Sequence, residues 1–322
     1  MMKELDKKII NILSLLNETQ KLNILNVAYE WLDKQGREEI SSFLDYKSIE
    51  HYSSKNTLYT YKLSLNKIHD YFITRGMSIS SLNRDSITKL ITYMSEKKLS
   101  TKTIGVRLAA LKEFLKYLII EGKMEGLPYF ECPKHEKKIP VYLNLEEINR
   151  LLDAPIPANK KVVLEILYAT GLRVSELANL KISNIDFENR LCRVFGKGDK
   201  ERFVPIHAKA IEAIRQYLKE VRPKLVRDDK IDNLLLTRTG KTYRRENLWE
   251  LVKKSAKAAK IEKNISPHTL RHTLATHLLD NDADIRCIQE ILGHASLNTT
   301  QIYTHVSIKR LKEVHKKYHP RA

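Results

Sequence analysis

The sequence predicts a mainly α-helical protein with a small antiparallel β-sheet, divided between a helical domain and an α+β domain. Three observations point there. The chain has 322 residues, and at about 100–200 residues per domain that is enough for two. Apolar residues recur at helical spacing along most of its length. A single pair of alternating runs, 191–195 and 202–206, brackets Gly196-Lys-Gly-Asp-Lys200 and reads as a β-hairpin.

Taken in order, residues 1–36 predict a helical N-terminal extension. Helices over 4–16 and 21–33 carry Ile9, Ile12, Leu13 and Leu16, then Leu25, Ala28 and Leu32, and would form a short hairpin. Residues 37–130 predict a helical domain with helices near 38–51, 57–75, 84–97 and 101–121. In the last of these Ser100 is the N-cap, and Ile104, Leu108, Leu111, Leu115 and Leu118 form one apolar stripe. The opposite face carries Lys102, Gly105, Ala109, Lys112 and Lys116. Small residues between lysines let a helix backbone approach phosphates, so this face is a candidate DNA contact; an ordinary solvated face has the same composition. Residues 131–140 hold two prolines and no helical period, and predict an extended linker.

Residues 141–322 form the second domain. Asn144 with Glu147 predicts a capping box opening a helix through Leu152. A helix over 160–169 breaks at Gly171 before another at 173–180. The hairpin follows, then helices over 208–221 and 245–260. Ser266-Pro267 starts a helix to Leu279, and Asp284 caps one that ends at Leu292-Gly293.

Charge narrows the partner. The chain holds 57 Lys+Arg against 39 Asp+Glu, a net of +18. Residues 1–36 are neutral, residues 37–140 carry +6 and residues 141–322 carry +12. A polyanion held by both domains would spread the excess this way, as would a merely soluble charged surface. No apolar run reaches the roughly 18 residues of a membrane helix, and the N-terminus lacks a secretory signal pattern. Three cysteines, Cys132, Cys192 and Cys287, are odd in number and share no metal spacing, which suits a reduced cytoplasm.

Three segments carry the chemistry. In Ala169-Thr-Gly-Leu-Arg173-Val-Ser-Glu176, Arg173 starts a helix with Glu176 one turn on. Alone, Arg173 reads as a surface residue or an ion pair with Glu176. Lys197, between two glycines at the hairpin tip, reads alone as turn chemistry. The third segment is Pro267-His268-Thr-Leu-Arg271-His272-Thr-Leu-Ala-Thr-His277. His268 and Arg271 share one helix face. His268 and His272 are four apart, but no HExxH glutamate accompanies them and Arg271 would repel a cation, so no metal is expected. His277 sits among leucines and reads as a half-buried structural residue. Beyond come His294, just past a helix end, and Tyr303.

Arginines, histidines, a lysine and a tyrosine without a carboxylate cluster suit phosphoryl transfer. Two guanidinium forks would meet the negative charge on the phosphate oxygens. Lys197 could give the leaving 5′-oxygen its proton. Tyr303 could be the nucleophile, His268 its proton partner, and His294 a donor to a phosphate oxygen.

The segments ATGLRVSEL, FGKGDKERFVP, SPHTLRHTLATHLL and IQEILGHASLNTTQIYTHV resemble, in their order and intervals, the tyrosine recombinase (phage integrase) family, and more closely its Xer branch. The closing Tyr318-His-Pro-Arg-Ala322 is similar to the tail of Xer proteins, and Asn56-Thr-Leu-Tyr-Thr-Tyr61 with the 101–121 helix is similar to the family's core-binding domain. The resemblance covers about residues 38–322. It implies that Arg173 and Arg271 clamp the scissile phosphate, Lys197 is the general acid, His268 the acid/base partner, His294 an assistant at the phosphate and Tyr303 the nucleophile. Glu176 matches a supporting position. The resemblance also implies two domains closing as a C-shaped clamp on double-stranded DNA. Four protomers would act together, as a homotetramer or with a paralogue, through a Holliday junction and without metal, ATP or other cofactor. Dimer resolution of chromosomes or plasmids, with a septal DNA translocase as a possible activator, is the role it implies. The helix after Tyr303, with Ile308, Leu311 and Val314, resembles a segment that relatives donate to a neighbour; its spacing equally fits packing in cis. An integrase of a mobile element, a type IB topoisomerase and a non-catalytic DNA-binding protein are the alternatives.

Overall fold

A computed structural model describes residues 15–51, 53–133, 140–196, 201–228, 230–293 and 305–321 of the chain. The chain separates into two compact units, Met1–Lys137 and Lys138–Ala322.

The first unit is helical: α1 (Glu18–Ile49), α2 (Lys55–Ile73), α3 (Arg84–Glu96) and α4 (Thr101–Ile120). Asn17, Ser54, Asn83 and Ser100 cap them, each side chain accepting a backbone N–H one turn on. The core is built from Ile40 and Phe43 of α1, Leu65, Ile68 and Phe72 of α2, Ile87, Leu90 and Met94 of α3, and the stripe predicted on α4.

One expectation is corrected. The helices foreseen over 21–33 and 38–51 are a single 32-residue helix that runs through Gly36 without a break. A mid-helix glycine costs about 1 kcal/mol relative to alanine, but here tertiary packing outweighs it. A Cβ on Gly36 would lie 2.3 Å from Cε1 of His69, so its absence lets α2 press onto the α1 backbone. His69 pairs with Asp33 at 2.9 Å, and Arg37 bridges Asp33 and Asp70 at 3.0 and 3.2 Å. The segment of α1 before this crossing leaves Leu22, Leu25 and Trp31 exposed. The helix foreseen over 4–16 lies outside the described residues apart from Leu15 and Leu16, which form a turn.

The second unit begins with α5 (Leu145–Asp153), opened by the foreseen capping box of Asn144 and Glu147, both bonds 2.8 Å. Helix α6 (Ala158–Thr170) is buried without interruption from Val162 onward and forms the centre of the unit. Helix α7 (Val174–Ala178) leads to a three-stranded antiparallel sheet of β1 (Ile185–Asp186), β2 (Leu191–Phe195) and β3 (Glu201–Pro205), in that order. Cys192 pairs with Val204 and Val194 with Arg202. The two-residue β1 is too short to leave a periodic signal. The segment expected as a helix over 208–221 is helical throughout: α8 (Ala208–Gln216) widens into a π-helical stretch, Tyr217–Val221, and continues as α9 (Arg222–Leu225). Pro223 sits in the first turn of α9, where its missing N–H is not needed. Helices α10 (Arg245–Ala258), α11 (Pro267–Asp280), α12 (Ile285–Leu292) and α13 (His305–Tyr318) complete the unit. Leu311 of α13 is buried in the same core, with Val314 and Tyr318 packed against it, so this helix docks in cis. Among the described residues no helix is long and apolar enough to cross a membrane.

Candidate active site

The site starts where α6 stops. Gly171 ends α6 in a left-handed conformation, φ +58°. A Cβ there would also lie 2.7 Å from Leu292 and 3.0 Å from Leu274. Glycine is therefore needed twice, for its backbone conformation and for the close approach of α11 and α12. Two residues on, Arg173 is the N-cap of α7. Its backbone N–H donates to Glu176 Oε2 at 2.8 Å, and its Nη1 donates to Glu176 Oε1 at 2.9 Å.

Arg271 comes from α11, one turn after the Ser266 cap. Its Nη1 donates to the Gly171 carbonyl at 2.6 Å, and its Nη2 donates to the Leu292 carbonyl. Nη2 of Arg173 donates to the neighbouring Gly293 carbonyl at 2.9 Å. A third arginine completes the row: Nε of Arg202, on β3, donates to the Ile291 carbonyl at 3.3 Å. The last carbonyls of a helix have no partner within it. At the end of α12 three consecutive ones are each taken by an arginine from a different element.

The charges do not cancel. Arg202 donates to Glu176 from both Nη atoms, at 2.9 and 2.8 Å. Two guanidinium groups bond this one carboxylate and the third, on Arg271, bonds only carbonyls, so among these described residues three cations stand against one anion, a local excess of +2. Burial alone would raise the Glu176 carboxyl, but hydrogen bonds and charge from Arg202, then Arg173, hold it below the usual carboxylate range. Burial lowers Arg271 to about 10, with repulsion from Arg173 and Arg202 adding to it. A guanidinium has five N–H donors, and the described bonds use two on Arg173 and two on Arg271. The Arg173 side chain remains 38% exposed. An anion at this surface would find unused donors, fixed geometry and uncompensated positive charge.

The structure brings Arg173 and Arg271 together on one helix end, 98 residues apart in sequence and from different helices. His268 is exposed on α11, one turn before Arg271. Lys197, His294 and Tyr303 lie outside the described residues, although both chain segments flanking each are placed: β2 and β3 around Lys197, α12 and α13 around the other two. On α4 of the first unit, Lys102, Lys112 and Lys116 are exposed, and nothing lies within 4 Å of where a Gly105 Cβ would stand. Lys116 pairs with Glu113 at 2.9 Å. His277 is buried rather than half-buried; its Nδ1 meets the Tyr168 hydroxyl at 2.8 Å. Arg202 was not singled out from the sequence. Its signal is that an arginine occupies an inward position of β3, alternating with Val204. Among the described residues no three His, Cys, Asp or Glu side chains are placed to hold a metal ion.

Comparison with known proteins adds the following. The model of the "Phage integrase family" matches residues 142–310, and that of the "Phage integrase, N-terminal SAM-like domain" matches residues 40–122. Over 293 residues the chain is 40% identical to the "Tyrosine recombinase XerD" of Listeria innocua serovar 6a, covering 88% of this chain and 99% of that protein. It is 38% identical over 292 residues to the "Tyrosine recombinase XerD" of Staphylococcus aureus strain Mu50, with the same two coverages, 88% and 99%. Among solved structures, the XerH site-specific recombinase bound to a palindromic difH substrate, in a post-cleavage complex, is similar. The TM-score is 0.64 at 28% identity, over 80% of this chain and 78% of that one.

Proposed function

The chain belongs to the phage integrase family, and from that premise we propose how its residues divide the work of cutting and rejoining DNA. It is a site-specific tyrosine recombinase of the Xer type, a DNA strand transferase. In our reading Arg173 and Arg271 hold the two non-bridging oxygens of the scissile phosphate. The Tyr303 hydroxyl attacks phosphorus, its proton passing to His268. The bond to the 5′-oxygen breaks, Lys197 protonates that oxygen, and the phosphate remains joined to tyrosine at the 3′ end. Attack by the 5′-hydroxyl of a second strand reverses the steps and releases Tyr303, giving a Holliday junction after one exchange. His294 donates to a phosphate oxygen. Negative charge that builds on the phosphate is met by preset guanidinium groups.

The observation that carries this reading is the Arg173–Arg271 pair with its uncompensated charge. The binding partner we propose is double-stranded DNA; the similar XerH recombinase is bound to a palindromic difH substrate. Residues 37–130, with Lys102, Lys112 and Lys116 on the backbone, serve as the core-binding domain, and residues 141–322 as the catalytic domain. Residues 1–36 serve as an added N-terminal extension, and 131–140 as the linker. We place the protein in the cytoplasm as a tetramer on two sites, alone or with a paralogue, with a septal translocase as a further partner. Resolution of chromosome or plasmid dimers is the role favoured by its likeness to proteins named XerD.

The test is a suicide site carrying a nick beside the cleavage position. The chain should form an SDS-resistant protein–DNA adduct, and Tyr303→Phe should form none. An adduct with that variant would show that another residue is the nucleophile.

A further inference from the structure

We propose that Arg202 is a positioning residue of the cleavage site, acting through Glu176 on Arg173. This rests on the reading that Arg173 clamps the phosphate.

The Arg202 side chain is only 6% exposed, and the Glu176 side chain facing it 5%. It lies between three elements of the unit. It is carried by β3, the strand that follows Lys197 in the chain. It grips both oxygens of Glu176, the residue that fixes Arg173 by backbone and side chain. Its Nε holds the Ile291 carbonyl, and a Cβ on Gly293 would sit 3.0 Å from its Cδ and Nε. The next residue in the chain is His294.

The charge arrangement explains why an arginine is needed there. Glu176 has two oxygens, and Arg173 meets Oε1 with its side chain and Oε2 with its backbone. Without Arg202 the full carboxylate charge would fall on Arg173. That charge would draw the guanidinium inward and compete with a bound phosphate. With Arg202 in place, Glu176 is neutralised from behind and serves Arg173 as a hinge pin rather than as a rival anion. A buried fork is suited to this because it binds a carboxylate bidentately in fixed geometry, whereas lysine is a point charge. Arg202 itself is buried, and its described bonds go to Glu176 and the Ile291 carbonyl.

Adduct formation on the nicked suicide site should be timed at saturating DNA, beside DNA affinity and melting temperature. For Arg202→Met we expect cleavage about 10–100-fold slower, by analogy with the scale found when the partners that orient metal ligands are removed, with DNA affinity within about threefold of the parent. Combined with Arg173→Ala, it should add little to the loss that Arg173→Ala causes alone, because both act through one group. Full multiplication of the two losses, or a loss matched by the lost folded fraction, would overturn the proposal. Should Arg202→Met fail to fold, Arg202→Lys decides: it keeps the charge without the fork. A several-fold loss of cleavage in a folded protein supports the proposal, and a parental rate refutes it. If Arg173→Ala itself cleaved at the parental rate, the clamp reading would fall first, and that result is separate from any obtained with Arg202.

Discussion

Arg173 and Arg321 each meet a buried glutamate in the second unit, and the two sites treat the arginine differently. Arg173 shares Glu176 with Arg202, keeps 38% of its side chain exposed and retains unused donors. Arg321 is 6% exposed and is spread over Glu165, Asp153 and Asn149, at 3.1, 3.2 and 3.2 Å. Around it lie three neutral histidines whose rings stack or tilt on one another: His207 and His319 at 4.6 Å, and His315 and His319 at 4.6 Å. Burial lowers His207 to about 3 and His315 to about 4, and pushes His319 well below its ordinary value. The first site holds more cations than anions and faces solvent. The second has consumed its arginine and excludes further charge. An arginine placed to bind a ligand is thus recognised by what its neighbours leave over, not by having an acidic partner.

The largest effect should come from the closed site. Arg321→Ala strips Glu165 of its cation inside the core, and breaking such a buried pair costs about 3–5 kcal/mol. The melting temperature should drop steeply; a variant that melted like the parent would show that the tail is not held by this contact. At the open site Arg271→Ala should slow adduct formation about 10²–10³-fold, on the scale of losing one preset donor to a developing oxyanion. Because phosphate contacts elsewhere persist, affinity for DNA should change far less. Equal losses in binding and cleavage would show that Arg271 holds DNA without serving the reaction.

Acid should separate the two sites further, with a smaller effect. His207, His315 and His319 are neutral in the fold but take up protons near pH 6.5 when unfolded. Their contribution is complete above that pH and is lost as pH falls from 6.5 toward about 4, by up to roughly 1.4 kcal/mol per group per pH unit. Glu165, raised by burial, offsets part of this because its carboxyl holds a proton more readily in the fold. Glu176 is lowered, so its contribution persists until pH falls through the usual carboxylate range. Melting temperatures between pH 7.5 and 5 should therefore fall. A flat profile would mean that the three rings are not held neutral by burial.

Much of this was legible along the chain. The Ser100, Asn144, Ser266 and Asp284 caps and the Gly171 and Gly293 stops are signals spanning a turn of helix, and each stands where its pattern placed it. The stripe from Ile104 to Leu118 is buried throughout, and the Arg173–Glu176 bond joins residues three apart. Less legible was α1, because Gly36 looks like a stop until His69 is known to need the space. Arg202 hid among the charged residues of a hairpin: its alternation with Val204 marks an inward position, but nothing within a few positions of it shows which carboxylate it meets.

The sequence by itself determined most of the helices and their capped ends, the hairpin strands and the set of motifs that identifies the family, because each of these depends on residues close together along the chain. Only the tertiary structure decided which charges meet. Arg202 reaches Glu176 across 26 positions, Arg173 reaches Gly293 across 120, and Arg321 reaches Glu165 across 156. Whether an arginine is spent or available depends on the count of charges and carbonyls around it once the chain has closed. That count is a property of packing, and no local pattern records it.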